Sequence, residues 1–147
     1  MSITYTVTVD ENATQWYHNG KRHREDGPAV EYASGRNEWY LNGQYHREDG
    51  PAVECVDGTM YWYQNGLLHR QDGSAIDCPN GSKYWYLNGK PHRTDGPAVE
   101  YSDGTKYWYL NGVKMSQEEH ARQTQPVLEL TMADIEKLIG RPVKIVK

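Results

Sequence analysis

The sequence predicts a mostly β protein: an elongated antiparallel sheet of stacked 23-residue β-hairpin repeats with a small α/β C-terminal cap. Tryptophan recurs every 23 residues, and a fixed period of this size is typical of a repeat architecture. Each copy also carries two pairs of turn-forming residues with short alternating segments between them, which indicates hairpins. The tryptophans are Trp16, Trp39, Trp62, Trp85 and Trp108.

The composition fits a thin, extended sheet. The 147 residues suit one domain by length and include 12 Tyr and 5 Trp but no Phe. Mean hydropathy is −0.92, so we expect aromatic rings to provide most of the buried area. The formal net charge of −4 lacks the basic balance typical of nucleic-acid-binding proteins, so nucleic acid is not an expected partner.

Residues 1–15 are predicted to form an N-terminal capping strand. Within them, residues 3–9 alternate apolar and polar side chains, as a strand does. This opening lacks the basic and apolar regions of a signal peptide. No apolar run in the chain approaches the roughly 18 residues of a transmembrane helix.

Residues 16–115 are predicted to form five repeats, the fifth truncated. The unit is clearest in residues 84–106, YWYLNGKPHRTDGPAVEYSDGTK. An Asn-Gly pair follows each tryptophan strand, and an Asp-Gly or equivalent pair follows later, as at Asp103-Gly104. Both kinds of pair are expected to form two-residue type I′ turns, in which both central residues have positive φ.

The turn at Asp103-Gly104 predicts a strand register. A two-residue turn places Val99 opposite Trp108 and Glu100 opposite Tyr107. One face of the sheet would then carry Val and Trp, and the other would carry Tyr and charged residues.

The segment His-Arg-x-Asp-Gly-Pro-Ala is interpreted as turn chemistry. In the fourth copy, Asp95 would cap the turn, Gly96 would take positive φ and Pro97 would fix the exit. The pair His92-Arg93 would stack with its counterparts and hydrogen-bond to the aspartate three residues after the histidine. The His, Arg and Asp columns are therefore predicted to be structural.

Residues 116–147 are predicted to form the α/β cap. Ser116-Gln117-Glu118-Glu119 spells a capping box, which indicates the start of a helix. A strand is expected over residues 127–130. Thr131 then begins a helix that runs through Ile139 and ends at Gly140, and a last strand covers residues 143–146.

The two cysteines, Cys55 and Cys78, occupy one repeat column. If each copy contributes two strands, they lie about 9–10 Å apart, whereas a disulfide needs Cα atoms within about 7 Å. They are predicted to be free thiols, which favours a reducing compartment, the cytoplasm.

With these motifs in view, the chain resembles the MORN repeat family over residues 16–115. Those repeats share the 23-residue length, the Asn-Gly pair (Asn88-Gly89), the later Asp-Gly pair (Asp103-Gly104) and the aromatic residues before the next Asn-Gly. This variant has HR-x-DGPA where the family usually has Gly-x-Gly, and with its C-terminal tail it is similar to small proteins encoded by tailed bacteriophages. The resemblance implies elongated twisted sheets that serve protein contacts and self-association, with lipid binding also proposed.

No catalytic, metal or cofactor site is predicted. One His and one Asp per copy fall short of the three or four converging ligands of a zinc site. The cysteines lack the cationic turn or helix N-terminus that lowers a thiol pKa. Carboxylate pairs such as Glu48-Asp49 recur with the repeat, whereas a catalytic pair needs its own environment, and no Gly-rich phosphate loop is present. The sequence predicts a protein that is not an enzyme.

The leading functional hypothesis is a protein-binding module, because Tyr and Arg along a sheet are residue types enriched at interface hot spots. The phage resemblance implies an inhibitor or modulator of a bacterial host protein, such as a defence component, in the host cytoplasm. Leu67-Leu68 replaces the polar pair Lys21-Arg22 of the first copy and is predicted to contact a partner or a second copy. The other predicted interface residues are Tyr40, Tyr63, Tyr86, Tyr109, Arg47, Arg70 and Arg93. The structural alternative is that each of these merely ties its strand to the next.

Other functions stay open at this level. Arg and His beside Tyr rings suit the sequestration of a small phosphate-containing ligand or nucleotide. The cluster of residues 21–24, Lys-Arg-His-Arg, suits a membrane surface. The exposed edges of an open sheet favour a self-assembling structural protein, with a homodimer as the expected oligomer.

Overall fold

The computed structural model describes residues 4–125 and 132–140. Over these residues it confirms the predicted fold class: mostly β, with one long antiparallel sheet of hairpins and two short C-terminal helices. The strands predicted over residues 127–130 and 143–146, the helix start at Thr131 and residue Ile3 lie outside the described residues.

The chain alternates very short strands with tight turns, and its helices follow the last strand. The elements are β1 (Thr6–Val9), β2 (Ala13–His18), β3 (Lys21–Arg22), β4 (Val30–Tyr32), β5 (Asn37–Glu38), β6 (Tyr40–Leu41), β7 (Gln44–Tyr45), β8 (Val53–Glu54), β9 (Met60–Tyr61), β10 (Tyr63–Gln64), β11 (Leu67–Leu68), β12 (Ile76–Asp77), β13 (Lys83–Tyr84), β14 (Tyr86–Leu87), β15 (Lys90–Pro91), β16 (Val99–Glu100), β17 (Lys106–Leu110), β18 (Val113–Met115), α1 (Gln117–Thr124) and α2 (Met132–Ile139).

Within the described residues, 12 strands form the main sheet, in the order β1-β2-β4-β5-β8-β9-β12-β13-β16-β17-β18 with β3 paired to β2. The pairs β6-β7, β10-β11 and β14-β15 form small hairpins around the Asn-Gly turns. These hairpins also bond to one another, since the Gly66 N–H donates to the Tyr45 carbonyl of the preceding copy at 2.9 Å. Each copy therefore depends on its neighbour, as in other repeat proteins.

The two kinds of turn differ. The Asn-Gly turns are confirmed as type I′, because φ is positive at both residues, 49° at Asn88 and 74° at Gly89. The same prediction for Asp-Gly is wrong. Only the glycine has positive φ there (88° at Gly104), and the Tyr101 N–H donates to the Thr105 carbonyl at 2.9 Å around three residues.

The three-residue loop is stabilised by its aspartate. The Asp103 carboxylate accepts the N–H of Thr105 at 2.8 Å, which is the local bond that Asp and Asn side chains favour in turns. Asn80 and Asp57 accept the N–H groups of Ser82 and Thr59 at 2.9 Å in the same way.

The longer loop shifts the strand register by one residue. Val99 pairs with Tyr107 and Glu100 with Lys106, so the predicted pairs Val99–Trp108 and Glu100–Tyr107 are wrong. Because a one-residue shift exchanges the faces of a strand, Val and Tyr share one face, the tyrosine face. Trp108 and Glu100 share the other, the tryptophan face.

The most deeply buried residues are small. The alanine of each Asp-Gly-Pro-Ala step, or its equivalent, is fully buried, and its carbonyl accepts the N–H of a tryptophan, as Ala75 does from Trp62 at 2.8 Å. Val30 is the largest side chain that is fully buried among the described residues. The tryptophans are half-buried. The buried alanines are Ala29, Ala52, Ala75 and Ala98.

The ends of the array agree with the sequence where the structure describes them. The N-terminal strand covers Thr6–Val9. The capping box is confirmed, since Ser116 accepts the Glu119 N–H at 3.1 Å and Glu119 accepts the Ser116 N–H at 2.9 Å. Gly140 follows α2 with φ of 67°. Neither helix of the described residues has the length and apolar character needed to cross a membrane.

Candidate functional site

An arginine lies over the tryptophan of its own copy on the tryptophan face. The Cζ atom of Arg47 is 4.0 Å from the centre of the Trp39 ring. This distance is well within the range of a cation–π contact. The equivalent pairs are Arg24 on Trp16, Arg70 on Trp62 and Arg93 on Trp85, at 4.0, 4.1 and 3.9 Å.

The same guanidinium also holds the loop that follows it. Arg47 donates from Nε to Asp49 at 2.9 Å and from Nη1 to the Pro51 carbonyl at 3.2 Å. Nη1 also donates to Glu54 on the next strand at 3.0 Å. The bond from Arg47 holds the pKa of the Asp49 carboxyl below its usual range, with the positive charge adding to the effect. One side chain thus fixes the shape of loop 47–51. We call this set of contacts, and its equivalents in the other copies, the arginine clamp.

The glycine of this loop is required by the arginine and not by its backbone angle. A Cβ at Gly50 would lie 2.8 Å from Arg47 Cζ. The predicted positive φ at the glycine of Asp-Gly-Pro-Ala is wrong, because Gly50 is not among the residues with positive φ. The guanidinium fits only because no side chain stands there.

The bond predicted from the His-Arg pair to the aspartate is confirmed for the arginine and wrong for the histidine, which bonds to the next copy. The Asn65 N–H donates to His46 Nδ1 at 3.2 Å. The same Nδ1 atom lies 3.1 Å from the Asn65 Oδ1 atom. Equivalent bonds join His23 to Asn42, His69 to Asn88 and His92 to Asn111.

The third copy departs from this pattern in two coupled positions. Asp77 stands where the other copies have Glu, and its carboxylate is 3.9 Å from Arg70 Nη1. Ser74 stands where they have Pro, and its hydroxyl donates to Asp77. The shorter acid is therefore held by the serine, and the clamp around Arg70 is looser.

Open slots separate the successive loops within residues 24–95. Slot 1 lies between loops 24–28 and 46–49, slot 2 between loops 47–50 and 69–72, and slot 3 between loops 70–73 and 92–95. Their volumes are about 870, 400 and 460 Å³. Each slot lies between two successive copies and is lined by the tryptophan of the later one. These tryptophans are Trp39, Trp62 and Trp85.

Slots 1 and 2 carry an excess of carboxylates at their rims, whereas slot 3 has Gln71 and Thr94 at the positions equivalent to Glu25 and Glu48. The carboxylates of Glu48 and Asp49 are 87% and 85% exposed. The arginines that line the slots are already paired with acids, as Arg47 is with Asp49 and Glu54. The slots therefore offer acceptors and few free cations.

The structure separates the residues that were predicted to act together. Arg47, Arg70 and Arg93 stack on tryptophans, whereas the predicted tyrosines lie on the tyrosine face. Tyr40 is buried there, where its hydroxyl donates to Glu38 at 3.1 Å. The other predicted tyrosines, Tyr63, Tyr86 and Tyr109, are half-buried.

The two leucines that were predicted to contact a partner differ in their exposure. Leu67 is 49% exposed, while Leu68 is half-buried opposite Tyr63. Leu67 is thus the member of the pair that is open to contact.

Sequence reasoning missed the slots. Glu25, Glu48 and Trp39 were not assigned to a site, because the predicted register put the tryptophans on an aliphatic face. A usable signal was present: an arginine follows each tryptophan of the first four copies by eight residues.

Other chemistry has little support among the described residues. In residues 4–125 and 132–140, no group of three His, Cys, Asp or Glu side chains is placed to hold a metal ion. Cys55 and Cys78 are free, and burial raises the pKa of both thiols, which disfavours the nucleophilic thiolate.

No known protein family matches this chain, and no curated protein sequence does so significantly. The structure itself establishes hairpin units repeated at about 23 residues in one antiparallel sheet, with Arg–Glu bridges and His–Asn bonds.

Proposed function

We propose that the protein is a non-enzymatic repeat scaffold that binds a protein partner through the loops of the tryptophan face. The observation that carries the proposal is that an arginine holds the loop in each of the first four copies, more loosely in the third, and that open slots lie between the loops. A surface whose side chains are already fixed loses little conformational freedom on binding. Such a surface suits the recognition of another macromolecule.

The state of the arginines disfavours the sequestration of a phosphate-containing ligand. Arg47 already bonds Asp49, Glu54 and a carbonyl group, and it lies on an indole ring. A phosphate would have to displace these partners and approach exposed carboxylates.

The resemblance to MORN repeats and to their phage-encoded variant extends the proposal. It favours a bacterial host protein as the partner, such as a defence component, which this chain would inhibit or modulate in the cytoplasm. MORN-like repeats serving protein contacts are consistent with a preformed loop surface.

A homodimer is the second candidate. Strand β1 lies at the end of the main sheet, and all four of its residues are exposed, with Val9 at 74%. Edge strands of this kind, without charged residues or proline, are open to pairing with a second chain.

Affinity capture tests the proposal. The tagged protein is incubated with bacterial lysate at moderate salt, and everything retained is identified by mass spectrometry, small molecules included, with the tag alone as the control. We expect one host protein in stoichiometric amount. Retention of a nucleotide without any protein would contradict the scaffold function, and an eluate with only this chain would leave self-association in its place.

A further inference from the structure

We infer that slots 1 and 2 bind an extended cationic segment of the protein partner, which places one lysine or arginine side chain in each of them. This inference rests on the proposed function and specifies its partner chemistry. Two independent observations support it: the charge of the slot rims and the way in which the chain itself covers the next such position.

The first observation is the excess of carboxylates around slot 1. Two arginines, Arg24 and Arg47, face six acids. Four of these acids pair with the arginines at 2.9–3.0 Å. Among the described residues, no arginine pairs with Glu25 or Glu48, whose carboxylates lie 3.9 and 3.8 Å from Nε2 of His23 and His46 and are 62% and 87% exposed. The six acids are Glu25, Asp26, Glu31, Glu48, Asp49 and Glu54.

The second observation is the contact between α1 and the fourth loop. The fifth copy has Ser116 in place of the arginine, and α1 begins there and lines the last slot position together with Trp108. His120 on α1 is buried, and its Nε2 donates to the Arg93 carbonyl at 2.6 Å. Where a segment of the chain covers this position, it thus brings a nitrogen donor to the loop carbonyl.

The carbonyls equivalent to that of Arg93 in the three slots belong to Arg24, Arg47 and Arg70, and the backbone around them makes the same hydrogen bonds. The N–H of each clamp arginine donates to the carbonyl of a tyrosine in the next copy, at 3.1–3.2 Å. Within the described part of the chain, the carbonyls of Arg24, Arg47 and Arg70 receive no hydrogen bond. Each slot therefore offers a carbonyl acceptor beside carboxylates.

This combination favours a cationic nitrogen donor. Ammonium and guanidinium groups bond to carboxylates and carbonyls with charge-assisted strength. An anionic segment would meet the rim carboxylates and would be repelled.

The repeat sets the spacing of the cations. Successive copies are two strands apart, which is about 9–10 Å. A segment in the extended polyproline II conformation has three residues per turn and advances about 3.1 Å per residue, so every third side chain lies on the same face about 9.3 Å apart. A basic residue at every third position of such a segment therefore matches one slot after another.

Synthetic peptides test the inference. The probe is a peptide with arginine at every third position separated by Gly-Ser, and its control has the same composition with the arginines adjacent. Titration calorimetry with the full chain measures Kd. We expect the spaced peptide to bind several-fold more tightly than the clustered one, and its affinity to fall with added salt.

A matched pair of double variants locates the binding. Glu25→Gln with Glu48→Gln removes two rim charges that no arginine pairs with, and is expected to weaken the spaced peptide about five-fold. Glu11→Gln with Glu118→Gln removes the same charge at residues that line no slot, and is expected to change affinity less than about two-fold. Circular dichroism checks that all four substitutions leave the fold intact.

Equal affinity for both peptides, equal effects of the two double variants, or the absence of saturable binding would each overturn the inference. Capture of a stoichiometric protein from lysate together with any of these results would show that the scaffold function holds and that its partner binds elsewhere. Tight binding of the spaced peptide without any captured protein would support the slot chemistry and contradict the scaffold function.

Discussion

Arg47 lies 4.0 Å from the ring centre of Trp39 and bonds the Glu54 carboxylate at 3.0 Å. One side chain thus connects Trp39, which lies between β5 and β6, to the loop and to strand β8. Because a guanidinium is planar and carries five donors, it can stack on a ring and bond to several acceptors at once. This relationship recurs in the array and explains why the loops keep one shape.

Replacing Arg47 by lysine tests the clamp. Lysine keeps the charge but cannot stack flat on Trp39 while donating to Asp49, Pro51 and Glu54. We expect Arg47→Lys to lower the free energy of unfolding by about 1–3 kcal/mol, measured by urea denaturation. Arg122→Lys on the exposed side of α1 is the control and should change it by less than about 0.5 kcal/mol. Equal stability of the two variants would contradict the clamp.

The bond between Arg47 and Asp49 also predicts how the stability of the fold depends on pH. The bond from Arg47 lowers the pKa of Asp49 below the ordinary value of 3.8. A carboxyl with a depressed pKa in the folded state stabilises the fold above its unfolded pKa, and this contribution is lost as the pH falls through the folded value. The contribution of Asp49 to the free energy of unfolding should therefore decrease as the pH is lowered below 3.8.

Carboxyl NMR measures this pKa directly. In Arg47→Gln the pKa of Asp49 should return toward its usual value. Asp57 is the internal control, because its pKa is lowered chiefly by the backbone N–H of Thr59 and should not respond. A low pKa for Asp49 in both proteins would mean that the arginine is not the cause.

The two turn types predict opposite preferences for glycine. Asn88 has φ of 49°, where alanine is strained and glycine is not. Asn88→Ala should therefore be less stable than Asn88→Gly, by about 1 kcal/mol. At Asn80, which is not among the positive-φ residues, Asn80→Gly should be no more stable than Asn80→Ala. The four melting curves decide this, and the same preference at both sites would refute the turn assignment.

Leu67 is predicted to contact a partner or a second copy. Leu67→Lys introduces the residue that the first and fourth copies carry at this position, so the free energy of unfolding should change by less than about 0.5 kcal/mol. The variant should reduce either the captured partner or the oligomer seen by light scattering. If both stay as in the unmodified chain, Leu67 is only an exposed apolar residue.

The architecture was predictable because it depends on local signals that recur. The 23-residue period, the Asn-Gly turns and the capping box at Ser116 each act over a few residues, and the structure follows them. The register was not predictable from the Asp-Gly pair. Whether such a pair closes a two- or three-residue loop depends on the backbone angle of the aspartate. The hydrogen bond that the Thr105 N–H donates to the Asp103 carboxylate stabilises the longer loop.

The register error also concealed the candidate site. The predicted register places Trp108 on the face of Val99 and the charged residues on the face of the tyrosines. It therefore predicts no contact between the arginines and the tryptophans. The bond between His46 and Asn65 joins two copies across 19 residues, so it could not be read from the spacing within one copy.

Site-specific photocrosslinking in bacterial lysate tests the central claim, that the loops of the tryptophan face bind a protein partner. The photoreactive residue benzoylphenylalanine replaces Gln71, which is exposed and lines two slots. The control replaces Ser102, an exposed residue of the Asp-Gly loop that lines no slot. We predict that position 71 crosslinks to one host protein and that position 102 does not. Crosslinks from position 102 alone, or none from either position, would contradict the account.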